Sequence, residues 1–175
     1  MGLDMYLYAV NKVAGDSVGK IESDRLYLDD DEASKRAQEM QERGEDLYSL
    51  EEYDKPHPKP GRWYHADGVM QVAYWRKANA VHDWFVHEVQ NGEDECEPHI
   101  VHPEKLADLY QRCKTVIEDP SQADTLLPTR GGFFFGSTAY DDWYVNDLKE
   151  TVAMLDAMRD DPRCHGKTLV YVSSW

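Results

Sequence analysis

Two stretches of this 175-residue chain carry side chains suited to holding a ligand. One contains Trp75, Arg76, Lys77, Asn79 and His82, and the other Thr138, Tyr140, Asp141, Trp143 and Tyr144. Indole and phenol rings offer stacking faces, and a guanidinium or ammonium beside them attracts phosphate or an electron-rich ring. Asp141 and Asp142 add acceptors for hydroxyls or amines. In a chain of formal charge −15, a local pair of cations is informative. Surface pairing with the many carboxylates is the competing reading. For residues 138–144 the alternatives are a ligand wall and a well-capped strand-to-helix corner.

Other constellations are weaker. Cys96-x-x-His99-x-x-His102 has metal-ligand residue types at short spacing, with Cys113, or Cys164 and His165, as completing ligands. No paired CxxC accompanies it, and the stretch reads as an acidic loop. His82 and Asp83 are neighbours, so on a helix they point about 100° apart and cannot orient one another as triad partners do. A core-edge hydrogen bond is the simpler role for His82. The chain lacks Walker, Rossmann, nucleophile-elbow and His-Glu-x-x-His patterns, so no cofactor is implied and no reaction is named.

The elements that must position these groups follow from periodicity. Leu3–Val10 reads as a strand with Leu3, Met5, Leu7 and Ala9 on one face and Tyr6 and Tyr8 on the other. Residues 11–24 read as a loop or hairpin tip, and residues 26–28 as a short strand. Asp29–Asp31 cap a surface helix reaching about Arg43. Pro56, Pro58 and Pro60 lie in a long loop over about residues 45–61. Residues 62–75 suit a strand pair around Asp67-Gly68, followed by a helix over about 76–90 that closes at Asn91-Gly92. Residues 93–101 read as loop. Pro103 opens a helix burying Leu106, Leu109, Tyr110, Cys113 and Ile117, and Asp119-Pro120 ends it.

Gly131 and Gly132 predict a turn with positive φ, and Phe133–Phe135 a short strand covered on both faces. Thr138 then caps a helix, with Asp141 at the capping-box position. That helix runs to about Arg159 and turns Tyr144, Leu148, Val152, Leu155 and Met158 inward. Residues 167–175 read as a closing strand. The predicted fold is one α+β domain over residues 1–175, an antiparallel-rich sheet with three or four packed helices. The helices after Trp75 and after Thr138 are expected to meet, with His82 facing Tyr140–Tyr144.

Composition narrows the function classes. There are 34 Asp and Glu against 19 Lys and Arg, and the excess is spread along the chain. Direct binding to DNA phosphates is therefore disfavoured. Three cysteines, no signal peptide and no apolar span of membrane length point to a reduced, cytoplasmic setting. Homo-oligomer formation is left open.

Three stretches together resemble an uncharacterised family of bacterial and phage proteins. They are Met1-Gly-Leu-Asp-Met-Tyr-Leu-Tyr8, Tyr74-Trp-Arg-Lys-Ala-Asn-Ala-Val-His-Asp-Trp-Phe85 and Gly132-Phe-Phe-Phe-Gly-Ser-Thr-Ala-Tyr-Asp-Asp-Trp-Tyr144. A phosphoglycerate kinase label attached to some members is not supported by this chain, which lacks a nucleotide-binding glycine motif. The resemblance implies a phage or prophage accessory protein and transfers no catalytic residue. With the aromatic–cationic cluster, it yields a first expectation: a binding protein that sequesters a small nucleotide-like defence signal of the host cell. The alternatives are an acidic DNA-mimicking inhibitor of a host nucleic-acid-binding protein, and a small metal-dependent hydrolase.

Overall fold

The computed structural model describes residues 2–10 and 69–175. The expected loop at 11–24, strand at 26–28, helix at 29–43, proline-containing loop at 45–61 and first strand of the 62–75 pair lie outside these residues. Within them the fold is α+β, as predicted: four helices and one four-stranded antiparallel sheet. The elements run β1 (Asp4–Val10), β2 (Val69–Arg76), α1 (Asn79–Glu88), β3 (His99–Val101), α2 (Pro103–Glu118), α3 (Ala123–Leu126), α4 (Asp142–Asp160) and β4 (Thr168–Ser174). The strand order is β2-β1-β4-β3.

The N-terminal strand sits at the centre because both its faces are apolar. Leu3, Met5, Leu7 and Ala9 join Trp75, Phe85, Leu109, Leu148 and Tyr171 in the main core. Tyr8 and Val10 join Val170 and Val172 in a smaller cluster, with Tyr6 packed against it. Strand β2 carries a bulge. Leu7 pairs with Ala73 and Tyr8 with Gln71, so Val72 is skipped. An extra residue in one strand inverts the alternation beyond it. Trp75 and Ala73 therefore face the main core, and after the bulge so does Met70.

Helix α2 buries Leu106, Leu109, Cys113 and Val116, while Tyr110 and Ile117 are only partly covered. Helix α4 buries Tyr144, Leu148, Thr151, Met154 and Leu155, with Val152 and Met158 partly covered. Its buried face is shifted from the apolar stripe because Thr151 Oγ1 accepts from Trp75 Nε1 at 2.9 Å. A buried indole N–H needs a partner, and threonine is the residue on that face able to supply one.

Several expectations are corrected. Helix α1 starts at Asn79, not near 76, because Arg76 still belongs to β2 and Lys77 bends the chain at φ 59. It ends at Glu88, about two residues earlier than expected, and the positive-φ turn at Asn91 (φ 55) and Gly92 (φ 85) follows it, with the Gly92 amide donating back to the Val86 carbonyl at 2.8 Å. Residues 99–101 form β3 on the edge of β4 and are not loop. Phe133–Phe135 is a turn and not a strand: Phe135 N–H donates to the Gly132 carbonyl at 3.2 Å. The three rings consequently diverge, with Phe133 96% exposed and Phe135 buried. Neither Gly131 nor Gly132 has positive φ. Gly132 is required instead for close approach, since a Cβ there would lie 2.7 Å from the Phe135 ring.

Candidate functional site

Where β2 hands over to α1, the chain meets the segment that leads into α4. The two expected stretches do line one cleft there, of about 330 Å³. Arg76, Lys77, Asn79, Asp141, Trp143 and Tyr144 are on its walls, joined by Thr129, Ser137 and Asp147.

Lys77 is the best-defined cation of the cleft. Its backbone lies in the left-handed region, which costs a side-chain-bearing residue about 1–3 kcal/mol unless the surroundings compensate. The bend is held by backbone hydrogen bonds, the Lys77 amide donating to the Leu3 carbonyl at 2.8 Å and the Lys77 carbonyl accepting from the Asn79 amide at 2.9 Å, and two glycines give the lysine stem room. A Cβ on Gly2 would lie 3.3 Å from Lys77 Cε, and one on Gly136 would lie 3.4 Å from Lys77 Cβ. Gly136 itself has φ 90. No carboxylate pairs with Lys77 among the described residues. Arg76 differs: it reaches Asp4 at 3.3 Å, and Tyr74 donates its hydroxyl to the same carboxylate.

Asp141 is committed to structure. It is the N-cap of α4, accepting from the amides of Trp143 and Tyr144 at 3.0 and 3.1 Å. Thr138, expected in that role, is not the cap and does not line the cleft. Its carbonyl accepts from Thr129 Oγ1 at 2.9 Å. An Asp placed immediately before the helical residues bonds two amides at once, which a Thr three positions earlier cannot match. Trp143 follows the cap and is 78% exposed, a large apolar ring left open to solvent. Tyr144 gives its hydroxyl to the Leu127 carbonyl at 2.9 Å, and burial pushes its phenol pKa up, so it stays neutral.

Asn79 fastens the cleft. Its amide nitrogen donates to the carbonyls of Phe135 and Ser137 at 3.1 and 2.7 Å, and its oxygen accepts from the Arg130 amide at 3.1 Å. One buried side chain thus ties the start of α1 to the 130–137 loop.

Besides Thr138, three expected residues fall outside the cleft. Trp75 is 1% exposed and belongs to the core, because strand alternation turns it toward α4. Tyr140 donates to Asp124 at 3.1 Å, and its ring meets Tyr144 edge-on. His82 does not face Tyr140–Tyr144. It is fully buried, with Nδ1 2.8 Å from the Tyr171 hydroxyl and its ring edge-on to Phe135.

His82 heads a polar network with no local signature in the sequence. Its Nε2 lies 3.1 Å from Asp94 Oδ1, off the axis of a well-formed hydrogen bond. Arg130 spans Asp94 at 3.4 Å and Asp83 at 3.0 Å, and Trp175 Nε1 donates to Asp94 at 3.2 Å. Arg130, Asp94 and Tyr171 are residues that sequence reasoning missed. Their partners lie 12 to 89 positions away, beyond any helical or strand period. Without solvent access at His82, the Tyr–His–Asp arrangement holds elements together and offers no route to a substrate.

Burial is the larger influence on His82 and lowers its pKa, Asp94 acts in the opposite direction, and Arg130 adds to the lowering. As pH falls, the unfolded chain therefore takes up the proton first, near the ordinary imidazole value of about 6.5. Stability from this group is present above that value and is lost as pH drops through the folded-state pKa. Urea midpoints should fall between about pH 7 and pH 5, and the fall should be smaller in His82→Gln. An equal fall in both proteins would show that His82 is not the responsible group.

The residues of the expected metal motif do not converge. Cys96 is exposed, His99 is in β3, and His102 precedes α2 at an exposed position. Among the described residues no group of three His, Cys, Asp or Glu is placed to hold a metal ion. Cys96, Cys113 and Cys164 are free thiols. No helix among these residues is long and apolar enough to cross a membrane. The chain matches no family model, no curated protein and no solved structure.

Proposed function

We propose that the chain is a binding protein for a small nucleotide-like ligand. A base would stack on Trp143, and an anionic group would meet Lys77. The observation that carries this reading is the pre-positioned lysine. It holds a costly backbone conformation, is packed between two glycines, lacks a carboxylate partner among the described residues, and shares its cleft with an exposed indole. In a chain of charge −15, a cation that pairs with no carboxylate among the described residues is suited to an incoming anion.

The cleft supports binding more than chemistry. Asp141 is held by the helix N-terminus, Tyr144 stays protonated, and His82 is shut away in the core. The resemblance to bacterial and phage proteins supports the finer version: sequestration of a nucleotide signal used by the host cell in defence. On this reading the protein acts in the bacterial cytoplasm.

A thermal-shift screen of mononucleotides and cyclic nucleotides tests the proposal. A stabilising nucleotide is expected, with its affinity lowered at least about tenfold by Lys77→Ala and by Trp143→Ala. Both side chains project into the cleft from exposed positions, so neither change should disturb the core. A nucleotide that binds both variants as tightly as the parent protein would overturn this assignment of the cleft.

A further inference from the structure

Phe133 is 96% exposed, yet the backbone that presents it is braced. It stands at the tip of the Gly132–Phe135 turn. The Phe135 amide closes that turn on the Gly132 carbonyl, and the Leu3 amide ties it to the start of β1 by donating to the Phe134 carbonyl at 3.1 Å. The Phe133 ring meets Phe134 edge-on, centres 4.9 Å apart. Phe135 is buried from the same turn, and Trp175 rests edge-on against it at 5.9 Å. Trp175 is 45% exposed, and its indole N–H is fixed on Asp94 at 3.2 Å. A single exposed apolar ring is ordinary. A row of aromatic rings on a braced turn has the composition and the stiffness of a binding anchor.

The neighbouring loop sets the charge of whatever docks there. Residues 93–97 read Glu-Asp-Glu-Cys-Glu, with Glu93, Glu95 and Glu97 exposed. Gln90 Nε2 pins the loop by donating to the Glu95 carbonyl at 3.0 Å. Asp94 joins it to the aromatic turn, since it holds Trp175 and lies 3.4 Å from Arg130, the residue before Gly131. Ring faces and carboxylates on one surface suit guanidinium, which stacks on an aromatic face and takes a carboxylate in a two-point bond. A second copy of this chain is a poor occupant, because each copy carries a formal charge of −15 and the same acidic loop. An anionic membrane is disfavoured by the same repulsion.

We propose that the Phe133–Phe134 tip, Trp175 and the 93–97 loop form a docking surface for a protein partner whose contact segment carries arginines beside apolar side chains. Phe133 enters an apolar pocket of the partner. Arginines next to that pocket stack on Trp175 and pair with Glu93, Glu95 and Glu97. The aromatic tip supplies the anchor, and the loop supplies the choice of a basic partner. These residues are not among the described walls of the Lys77–Trp143 cleft, and the surface does not depend on it.

NMR titration of the full chain with short capped peptides tests the proposal. Repeats of arginine-leucine-serine, lysine-leucine-serine and glutamate-leucine-serine are compared, with phosphatidylcholine vesicles alongside. The arginine peptide should shift the Trp175 indole signal and the amides of 93–97 and 131–135 ahead of the rest of the protein. It should bind several-fold more tightly than the lysine peptide, and the glutamate peptide should not bind. Phe133→Ala should lower its affinity about fivefold or more while the protein stays folded, because that side chain lies outside the core. Joint replacement of Glu93, Glu95 and Glu97 by glutamine should weaken binding and flatten its dependence on salt. Shifts spread evenly over the acidic surface, arginine and lysine peptides of equal affinity, or binding indifferent to Phe133→Ala would each overturn the proposal. So would vesicles bound in place of the peptide, self-association that Phe133→Ala abolishes, or no peptide binding at all.

Discussion

Phe85→Ala should lower the unfolding free energy by about 3–5 kcal/mol, the range for truncating a buried aromatic residue. Phe85 is fully buried and lies face to face with Tyr171, ring centres 3.8 Å apart. The edges of Trp75 and Trp84 meet it at 5.7 and 5.0 Å. One ring therefore joins β2, α1 and β4, and its loss leaves a cavity that three rigid aromatic neighbours cannot fill. For a domain of ordinary stability the loss is a large part of the total. Urea unfolding followed by tryptophan fluorescence reads it directly. Phe85→Leu, which retains more volume, should cost clearly less, and Phe133→Ala, at a side chain 96% exposed, about 0.5 kcal/mol or less. A cost for Phe85→Ala close to that of Phe133→Ala would contradict the described core.

Asn79→Ala should cost roughly 2–4 kcal/mol, although it removes few atoms. The side chain satisfies two carbonyls and one amide, and all three would lose their partner together. The consequence is local before it is global. Residues 130–137 would keep the Leu3–Phe134 backbone bond at 3.1 Å and the Arg130–Asp83 ion pair, but would lose their attachment to the start of α1. Amide exchange should quicken over 130–141 and stay near parental in α2 and β4. Because the same loop walls the cleft, nucleotide affinity should fall in parallel. Slow exchange retained at 130–141 would show that the loop is held by other contacts and that Asn79 is not its fastener.

What local sequence determined is the set of single-element faces. The alternation in residues 3–10 placed Leu3, Met5, Leu7 and Ala9 in the main core, and the spacing of Leu106, Leu109 and Cys113 set the buried side of α2. The α+β class follows from such faces, because burial preference repeats with the period of the backbone. The two aromatic–polar stretches were also legible as partners, since half-polar residues settle at a core edge where ring and polar tip are both satisfied.

Tertiary structure decided the rest. The run Phe133–Phe135 has the composition of a strand, yet the Gly132 turn sends one ring into the core and one into solvent. The bulge at Val72 is set by pairing with β1, not by any residue type in β2. Trp75 and His82 are polar enough for a cleft, but Thr151 and Tyr171 claim them from 76 and 89 positions away. Lys77 is the converse case. Its sequence neighbours suggest a helical surface residue, and only the meeting of Gly2, Gly136 and the start of α1 leaves its charge in a cleft without a carboxylate partner among the described residues. Local periodicity records whether a side chain prefers to be buried. Which group meets it there is a property of contacts between distant parts of the chain.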